Sequence, residues 1–375
     1  MGKATQCVHS GSIADPIHQG LNSPIFTSSS FGYLKTGDNV YPRYFNTPNQ
    51  QSVVAKLCAL EGTESGLLFG SGMAAISTTL LTLVGRGDHA VLQRDIYGGT
   101  HHLVTAEFPK LGIDYTFANN DAEDLESAIR SNTKLIYIET PSNPLLRVTD
   151  VEAVARVARR HGIVTAIDNT FASPINQNPA MLGIDIVIHS GTKYLGGHSD
   201  LCCGVVLTTG EIAKRVRSVA MSFGGSLNAT SCYLLERSLK TLGLRVEKQN
   251  QNAMAIARHL ATHPSVKRVY YPGLESHPGF DVARKQMRGF GGMLSFQLES
   301  RTVNTRRFLE RLALIMPAVS LGGVDTIVCA PAETSHVKLS AAERAEMGID
   351  DGLLRLSVGV EDVQDLIDDL DAAMQ

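Results

Sequence analysis

Residues 184–194 have the sequence IDIVIHSGTKY, an apolar run that leads into Ser190, Gly191, Thr192 and Lys193. A short run of Ile and Val is typical of a strand that is buried in a parallel sheet. Open α/β sheets bind their ligands at the carboxyl ends of such strands. A lysine in that place, beside two hydroxyl groups, suits Schiff-base chemistry, although a surface lysine after a strand gives the same pattern.

The composition indicates an ordinary globular enzyme. The 375-residue chain exceeds one typical core, so we expect one large and one smaller domain. A net charge of −3 offers no basic surface for nucleic acid. No apolar run approaches the ~18 residues of a membrane helix, and the start of the chain lacks an apolar signal core. The sequence therefore predicts a cytoplasmic protein that binds neither nucleic acid nor membrane.

Cysteine and histidine spacing gives no indication of a metal site. The six cysteines, at positions 7, 58, 202, 203, 232 and 329, form no C-x-x-C pair. His101 and His102 are adjacent, and His198 and His336 are isolated. These spacings do not match those of metal ligands. We therefore predict no metal and no disulfide framework.

From about Val53 onward, strand patterns alternate with helix patterns. A helix is predicted over residues 150–160, where apolar side chains recur at i, i+3, i+4 and i+7 and Gly162 provides a stop. This alternation predicts a mostly parallel sheet with helices on both faces. The candidate strands of this sheet are residues 90–93, 135–139, 163–168, 184–189 and 204–208.

The two ends of the chain differ from this central part. A helical stretch over residues 229–263, interrupted near Gly243, leads into a second domain that closes with a helix from Asp362. Residues 1–45 are rich in Ser, Gly, Pro and aromatic side chains without a period, so we expect them to wrap onto another surface. Strands are predicted near residues 266–271, 293–299, 326–330 and 353–358. The resulting division is an arm at 1–45, an α/β domain at 46–240 and a smaller α+β domain at 241–375.

Residues 70–75, with the sequence GSGMAA, precede a helix pattern. Glycines before a helix offer backbone N–H groups to a phosphate. The same string matches the G-x-G-x-x-A dinucleotide fingerprint, which leaves a nicotinamide or flavin oxidoreductase as an alternative, and a simple turn as another. The preceding strand is short, and Asp88 and Asp95 lie before and after the next strand rather than at its end. This placement disfavours the dinucleotide alternative.

Three further side chains lie at or within predicted strands. Asp168 closes a buried strand, where a pyridine nitrogen or the cap of the next turn would satisfy it. Tyr97 could stack on a flat cofactor or belong to the core. Arg355 lies inside an apolar strand, where a substrate carboxylate or a distant acid would pair with it. A phosphate cradle, an aromatic, a strand-end acid and a strand-end lysine together indicate pyridoxal phosphate.

With these motifs the chain resembles the Cys/Met metabolism family of pyridoxal-phosphate enzymes, which includes cystathionine lyases and cystathionine γ-synthase. The likeness covers nearly the whole length and implies the fold type I transferase architecture. Methionine γ-lyase and O-acylhomoserine sulfhydrylase belong to the same family. The motifs that carry the likeness are YPR at 41–43, SGMAA at 71–75, YGGT at 97–100, ETPSNP at 139–144, VTAIDNTFAS at 164–173, HSGTKYLGGHSD at 189–200, SLGG at 320–323 and RLSVGVED at 355–362.

The resemblance assigns expected roles to residues. Lys193 would hold the cofactor covalently and act as a catalytic residue with Tyr97, which would stack on the ring. Asp168 would pair with the ring nitrogen, and Asn143 would contact the ring hydroxyl. The phosphate would be bound by Gly72, Met73, Ser190 and Thr192, and by Tyr41 and Arg43 of a neighbouring subunit. The substrate carboxylate would be bound by Arg355, Ser320 and Asn143.

The resemblance also implies a homotetramer, a dimer of dimers whose active sites are shared between subunits. In such an assembly the N-terminal arm could pack on the surface of a neighbouring subunit. One departure from the family pattern is the run Asn46-Thr47-Pro48-Asn49, which replaces the usual Asn-Pro-Thr. The local geometry of the arm can therefore differ from that of the family.

The expected substrates are small sulfur amino acids. We expect the residues of the pocket wall to determine which reaction takes place, because the catalytic residues serve both β- and γ-chemistry. The freed Lys193 would remove the Cα proton in both β- and γ-chemistry. Family members that act on the γ side of cystathionine often carry Glu where this chain has Val319, and methionine γ-lyases usually carry Cys at Gly99. We therefore predict a carbon–sulfur lyase with cystathionine β-elimination favoured over γ-elimination. The alternatives are γ-replacement by a cystathionine γ-synthase or O-acylhomoserine sulfhydrylase, methionine γ-lyase, a dinucleotide oxidoreductase and a non-catalytic carrier of the cofactor.

Overall fold

The computed structural model describes residues 1–37, 39–299, 303–334, 344 and 348–375. Its larger sheet contains β1 (Ser65–Phe69), β2 (His89–Gln93), β3 (Asp114–Ala118), β4 (Thr133–Glu139), β5 (Val164–Asp168), β6 (Ile186–Ser190) and β7 (Gly204–Thr208). The spatial order is β1-β7-β6-β5-β4-β2-β3. Strands β2 to β6 are mutually parallel, whereas β7 runs antiparallel to both of its neighbours. The predicted mostly parallel sheet is confirmed.

Helices cover both faces of this sheet. The helices are α1 (Lys3–His9), α2 (Tyr33–Thr36), α3 (Pro48–Glu61), α4 (Gly72–Leu83), α5 (Gly98–Leu111), α6 (Ala122–Ser127), α7 (Val151–His161), α8 (Ser173–Asn176), α9 (Gly210–Phe223), α10 (Ala229–Leu239), α11 (Leu242–Thr262), α12 (Phe280–Gln286), α13 (Thr305–Arg311) and α14 (Val363–Met374). Successive strand side chains point to opposite faces. In β6, Val187 therefore packs in a core with α3, α7, α10 and α11, while Ile186 and Ile188 pack in another with α4, α5 and α9.

The helix ends follow the capping signals of the sequence. In α7 the Asp150 carboxylate accepts a hydrogen bond from the Ala153 N–H at 2.9 Å, which satisfies a donor that the helix leaves free. Gly162 ends the helix with a φ of 64°, a left-handed conformation that glycine adopts without a Cβ clash. The predicted helix at 150–160 is confirmed, displaced by one residue.

The smaller sheet lies in the C-terminal part of the chain. Its strands are β8 (Val266–Tyr270), β9 (Met293–Leu298), β10 (Met316–Pro317), β11 (Ile327–Cys329) and β12 (Leu353–Ser357). The order is β10-β11-β12-β9-β8, and β10 with β11 is the parallel pair. Helices α11, α13 and α14 contribute Leu260, Phe308 and Leu366 to the core beside this sheet.

The predicted interruption of the long helical stretch near Gly243 is present, because α10 and α11 are separated at Lys240 and Thr241. Other elements were not predicted, among them β10. Strand β3 was not predicted, because this edge strand exposes Asp114 and has no continuous apolar run. Short α1 and α2 form in the N-terminal segment, where no period was visible.

The N-terminal segment leaves large apolar side chains exposed. Ile17, Leu21 and Leu34 are 79%, 94% and 84% exposed, whereas Cys7 of α1 is buried against the core. The segment is therefore anchored by α1 but uncovered over much of its length. No helix in the described ranges is long and apolar enough to cross a membrane.

Candidate active site

The carboxyl ends of β4, β5 and β6 open into a cavity of about 500 Å³. Helix α4 begins at the same edge of the sheet, and the segment before β11 together with β12 contributes the opposite wall. The lining contains every site residue that was predicted except Tyr41 and Arg43. The predicted residues that line it are Gly72, Met73, Tyr97, Asn143, Asp168, Ser190, Thr192, Lys193, Val319, Ser320 and Arg355.

The start of α4 has the form of a phosphate cradle. Ser71 is the N-cap and accepts a hydrogen bond from the Ala74 N–H at 3.1 Å. A helix has no internal partner for its first N–H groups, so those of Gly72 and Met73 remain for an anion. A Cβ at position 72 would lie 3.0 Å from both Cβ and Oγ of Ser190. Glycine therefore lets α4 approach Ser190, and the cradle fits a phosphate group.

Thr192 has a structural contact that the sequence did not reveal. Its hydroxyl donates to the Cys203 carbonyl at 3.2 Å and accepts from the Cys203 N–H at 3.0 Å. This pair of bonds fixes the turn that carries Lys193. Thr192 could donate to a phosphate only by releasing the Cys203 carbonyl.

Asp168 is a buried acid at the end of β5. Its side chain is 6% exposed, and its Oδ1 accepts a hydrogen bond from the Thr170 N–H at 3.0 Å. Burial raises the pKa of Asp168, and hydrogen bonds from Thr170 together with the charges of His189 and Lys193 oppose that rise. A further cation would stabilise the carboxylate, so a protonated pyridine nitrogen fits this position.

Lys193 lies between the two walls of the cavity. Its Nζ donates a hydrogen bond to Ser320 Oγ at 2.7 Å. Burial lowers the pKa of Lys193, and the positive charge of Arg355 lowers it further. Ser320 has a φ of 89°, a strained conformation for a residue with a side chain. The strain occurs where the hydroxyl meets the lysine amine.

Arg355 has a donor that no described residue satisfies. Its Nη1 donates to Asn143 Oδ1 and its Nη2 to the Ser320 carbonyl, each at 2.9 Å. The Nε–H group is buried and has no hydrogen-bond partner among the described residues. No ion pair with an acid was found for Arg355 within those residues either, which disfavours the structural alternative. A bound carboxylate would satisfy both the charge and the free donor.

Tyr97 lies in the segment that follows β2, and Asn143 lies in the segment that follows β4. The Tyr97 side chain is 46% exposed, so one side of it remains open. Its N–H donates a hydrogen bond to Glu139 Oε2 at 2.7 Å. A Cβ at Gly99 would come within 2.5 Å of Cε1 of the Tyr97 ring, so the ring lies against that glycine.

Tyr41 and Arg43 lie outside the cavity of their own chain. The Arg43 guanidinium lies over the rings of Tyr41 and Tyr44, 5.8 and 5.3 Å from their centroids. Its Nη1 donates to the Met221 carbonyl at the end of α9. The expected role of both residues in a neighbouring subunit stays a prediction.

Several lining residues were not singled out as site residues from the sequence. Glu139 ends β4 just as Asp168 ends β5, so the same argument about strand-end acids could have found it. The others were given no role of their own, although Ser71 lies in the GSGMAA string. They are Ser71, Ile76, Thr170, Phe171, Cys202, Leu321, Cys329 and Thr334. For Leu321, Cys329 and Thr334, the approach to the cavity depends on how the C-terminal part of the chain packs against the larger sheet.

The structure contains no group of three or more potential metal ligands within the described ranges. The His101 ring stacks on Phe117 at 4.8 Å, and His198 Nδ1 lies 2.8 Å from the Gly196 carbonyl oxygen. His336 lies outside the described residues. His101 and His198 are not among the residues that line the cavity.

Comparison with known proteins agrees with the geometry. The family model for Cys/Met metabolism PLP-dependent enzymes matches residues 4–375. A cystathionine gamma-lyase of Bacillus subtilis (strain 168) is 43% identical over 100% of both chains. The cystathionine beta-lyase MetC of the same organism is also 43% identical, over 99% of this chain and 96% of its own.

A solved structure extends the likeness to the fold. The crystal structure of cystathionine gamma-lyase from Lactobacillus plantarum complexed with L-serine has a TM-score of 0.95 at 40% sequence identity. The match covers 100% of this chain and 98% of that one. The predicted fold type I architecture is confirmed, and the dinucleotide alternative is excluded. The chain belongs to the Cys/Met metabolism family of pyridoxal-phosphate-dependent enzymes.

Proposed function

We propose that the protein is a carbon–sulfur lyase that catalyses β-elimination from L-cystathionine. The reaction breaks the bond between Cβ and sulfur and, with one water, yields homocysteine, pyruvate and ammonia. The observation that carries the choice of β over γ is Val319, which lines the cavity and is 68% exposed. Valine offers no charge to a distal substrate ammonium group. The acids among the described lining residues, Glu139 and Asp168, are both buried at strand ends.

The residues of the cavity would divide between the cofactor and the substrate. Gly72, Met73 and Ser190 would hold the phosphate, while Asp168 would hold the ring nitrogen in its protonated form. When bound, pyridoxal phosphate supplies the electron sink that stabilises negative charge at the substrate Cα. Arg355 would bind the substrate carboxylate through its free Nε–H, which fixes the Cα–H bond relative to Lys193.

Lys193 is the proposed base. A lysine with an ordinary pKa of 10.5 is almost fully protonated at neutral pH and cannot accept a proton. Burial and the Arg355 charge lower the pKa of Lys193, so more of the amine is neutral. Ser320 Oγ, at 2.7 Å, would keep the amine beside the substrate. The lysine is thus held and tuned for proton transfer at Cα.

The wall beside Tyr97 supports the choice of β-elimination from cystathionine over methionine γ-lyase chemistry. A Cβ at Gly99 would come within 2.5 Å of the Tyr97 ring and 2.9 Å of Met73 Sδ. A cysteine at this position, which is usual in methionine γ-lyases, would therefore require Tyr97 to move. The proposed stacking position of Tyr97 suits the glycine that this chain carries.

The experiment that tests the reaction is the incubation of the cofactor-loaded protein with L-cystathionine, followed by identification of the 2-oxo acid. We expect pyruvate, in equal amounts with homocysteine. Formation of 2-oxobutyrate would contradict the inference from Val319 and indicate γ-elimination. Release of neither acid would make γ-replacement on an O-acylhomoserine the favoured alternative. Lys193→Ala is the matched control and should release neither product.

The proposed assembly is a homotetramer in which Tyr41 and Arg43 complete the phosphate site of a neighbouring subunit. Support comes from the absence of both residues from the described lining of their own cavity and from the exposed apolar side chains of the arm. Lys193→Ala and Arg43→Ala proteins should each be impaired, because each lacks one part of every site. Subunit exchange between them should restore activity, since hybrids would contain some intact sites. If the mixture of the two variants shows no gain in activity after subunit exchange, the proposal that active sites are shared between subunits is contradicted.

A further inference from the structure

Glu139 is a buried acid in the cavity that the proposed reaction does not use. It is the last residue of β4 and is 4% exposed. The Gln93 side chain holds its backbone, because Gln93 Nε2 donates to the Glu139 carbonyl at 2.7 Å and Gln93 Oε1 accepts from the Glu139 N–H at 3.3 Å. The position of this acid is therefore set in part by the neighbouring strand β2.

The Glu139 carboxyl group lies between two separate segments. Its Oε2 accepts a hydrogen bond from the Tyr97 N–H at 2.7 Å. The Asn143 N–H lies close enough to the same carboxyl group to oppose the rise of its pKa. Tyr97 is the N-cap residue of α5, but its own side chain makes no cap and the first turn of α5 has no acid. Glu139 thus supplies, from another strand, a hydrogen-bond acceptor at the N-terminus of α5.

A second acid lies beside it. Strands β4 and β5 pair in a register that sets Glu139 opposite Asp168. Burial and then the charge of Asp168 raise the pKa of Glu139 well above its ordinary value. Two buried acids this close disfavour each other's ionisation, so a role as a second counter-ion for the ring is opposed by Asp168. The Tyr97 N–H remains the bonded partner of the Glu139 carboxyl group, with the Asn143 N–H beside it.

We infer that Glu139 is a positioning residue that fixes Tyr97 and Asn143 relative to each other through their backbone N–H groups. This inference rests on the proposed function and on the roles that the family resemblance implies, in which Tyr97 stacks on the cofactor ring and Asn143 contacts the ring hydroxyl and helps bind the carboxylate. Arg355 Nη1 donates to Asn143 Oδ1 at 2.9 Å, so a displaced Asn143 would also disturb the arginine. One carboxyl group would in this way set both the ring stack and the carboxylate site.

The test uses the cofactor-loaded enzyme with Glu139→Gln and Glu139→Ala, and Glu107→Gln as the control. Glu107 is exposed and pairs with Lys110 on the surface of α5. The first readout is the visible circular dichroism per bound cofactor, which reports the fixed environment of the ring without any turnover. The second is KM against kcat for L-cystathionine.

We expect the dichroism per bound cofactor to decrease in the order wild type, Gln, Ala. Gln keeps one carbonyl acceptor but sets an NH₂ group against the other N–H, so it should be intermediate. KM should rise about tenfold in the Ala variant, the equivalent of one lost hydrogen bond. The Glu107→Gln control should match the wild type in both readouts.

Unchanged dichroism and KM in folded Glu139→Ala, with only a lower melting temperature, would overturn the inference. If the Ala variant does not fold, the same equality in Glu139→Gln decides against it. A failure of the proposed function gives a different result. In that case the wild type releases no pyruvate from L-cystathionine, while the dichroism series still reports on Glu139.

Discussion

Arg355→Lys tests the carboxylate site, because the change keeps the charge and removes the planar fork. In the structure two arms of the fork are used by Asn143 Oδ1 and the Ser320 carbonyl, and Nε–H is free for a ligand. A lysine ammonium cannot reproduce all three directions. It can serve the substrate only by releasing a protein partner, so at least one charge-assisted hydrogen bond is lost. Such a bond contributes about 1.5–3 kcal/mol, which corresponds to a loss in kcat/KM of about 10- to 150-fold.

The assay is the rate of 2-oxo acid release from L-cystathionine over a range of concentrations, with thermal unfolding measured in parallel. Arg258→Lys, at an exposed position of α11, is the matched control and should match the wild type. The reasoning would be refuted if kcat/KM of Arg355→Lys stayed within about threefold of the wild-type value, which is a loss of transition-state stabilisation below about 0.7 kcal/mol. In that case the fork is a structural contact between β12 and the Asn143 segment, and the carboxylate is bound elsewhere.

Four further measurements follow from the same geometry. Val319→Glu should shift the product of L-cystathionine from pyruvate toward 2-oxobutyrate, and an unchanged ratio would show that position 319 does not select the reaction. Gly72→Ala should weaken cofactor binding in a titration of the apoprotein, because the new Cβ would lie 3.0 Å from Ser190 Oγ. Because the pKa of Glu139 is raised in the folded protein, its protonated form favours folding. The stability of the apoprotein, measured by urea unfolding, should therefore fall as pH rises above 4.5, the ordinary pKa of the group. Glu139→Gln should make this fall smaller. Burial lowers the pKa of His277 to about 4, so stability should be lost as pH falls from 6.5 toward 4, and His277→Asn should reduce that loss.

The fold was predictable where one strand carries its own signal. The run before Lys193 is apolar on both faces, because each face of the central sheet meets a helix layer, and β6 was found within two residues. The edge strand β3 lacks that signal, since Asp114 is exposed and Tyr115 only half-buried. The family resemblance carried the prediction further than the local patterns could, because it connected motifs that are far apart in the sequence.

The candidate site was predictable at strand ends and less so elsewhere. Asp168 and Lys193 follow strands whose carboxyl ends converge, so topology alone brings them to one edge. The link between Thr192 and Cys203, and that between Glu139 and Tyr97, depend on backbone geometry that no spacing reveals. Residues such as Cys329 reach the cavity only because the second sheet packs against the first.

The position of Arg355 connects binding to proton transfer in the proposed mechanism. Its positive charge is one of the causes that lower the pKa of Lys193, after burial. A substrate carboxylate bound to Arg355 would offset that charge, because opposite charges at contact largely cancel at the distance of the lysine. The pKa of the Lys193 amine would then rise as substrate binds. The freed amine would therefore be a stronger base when substrate is bound and a Cα proton is present to be removed, since basicity follows pKa.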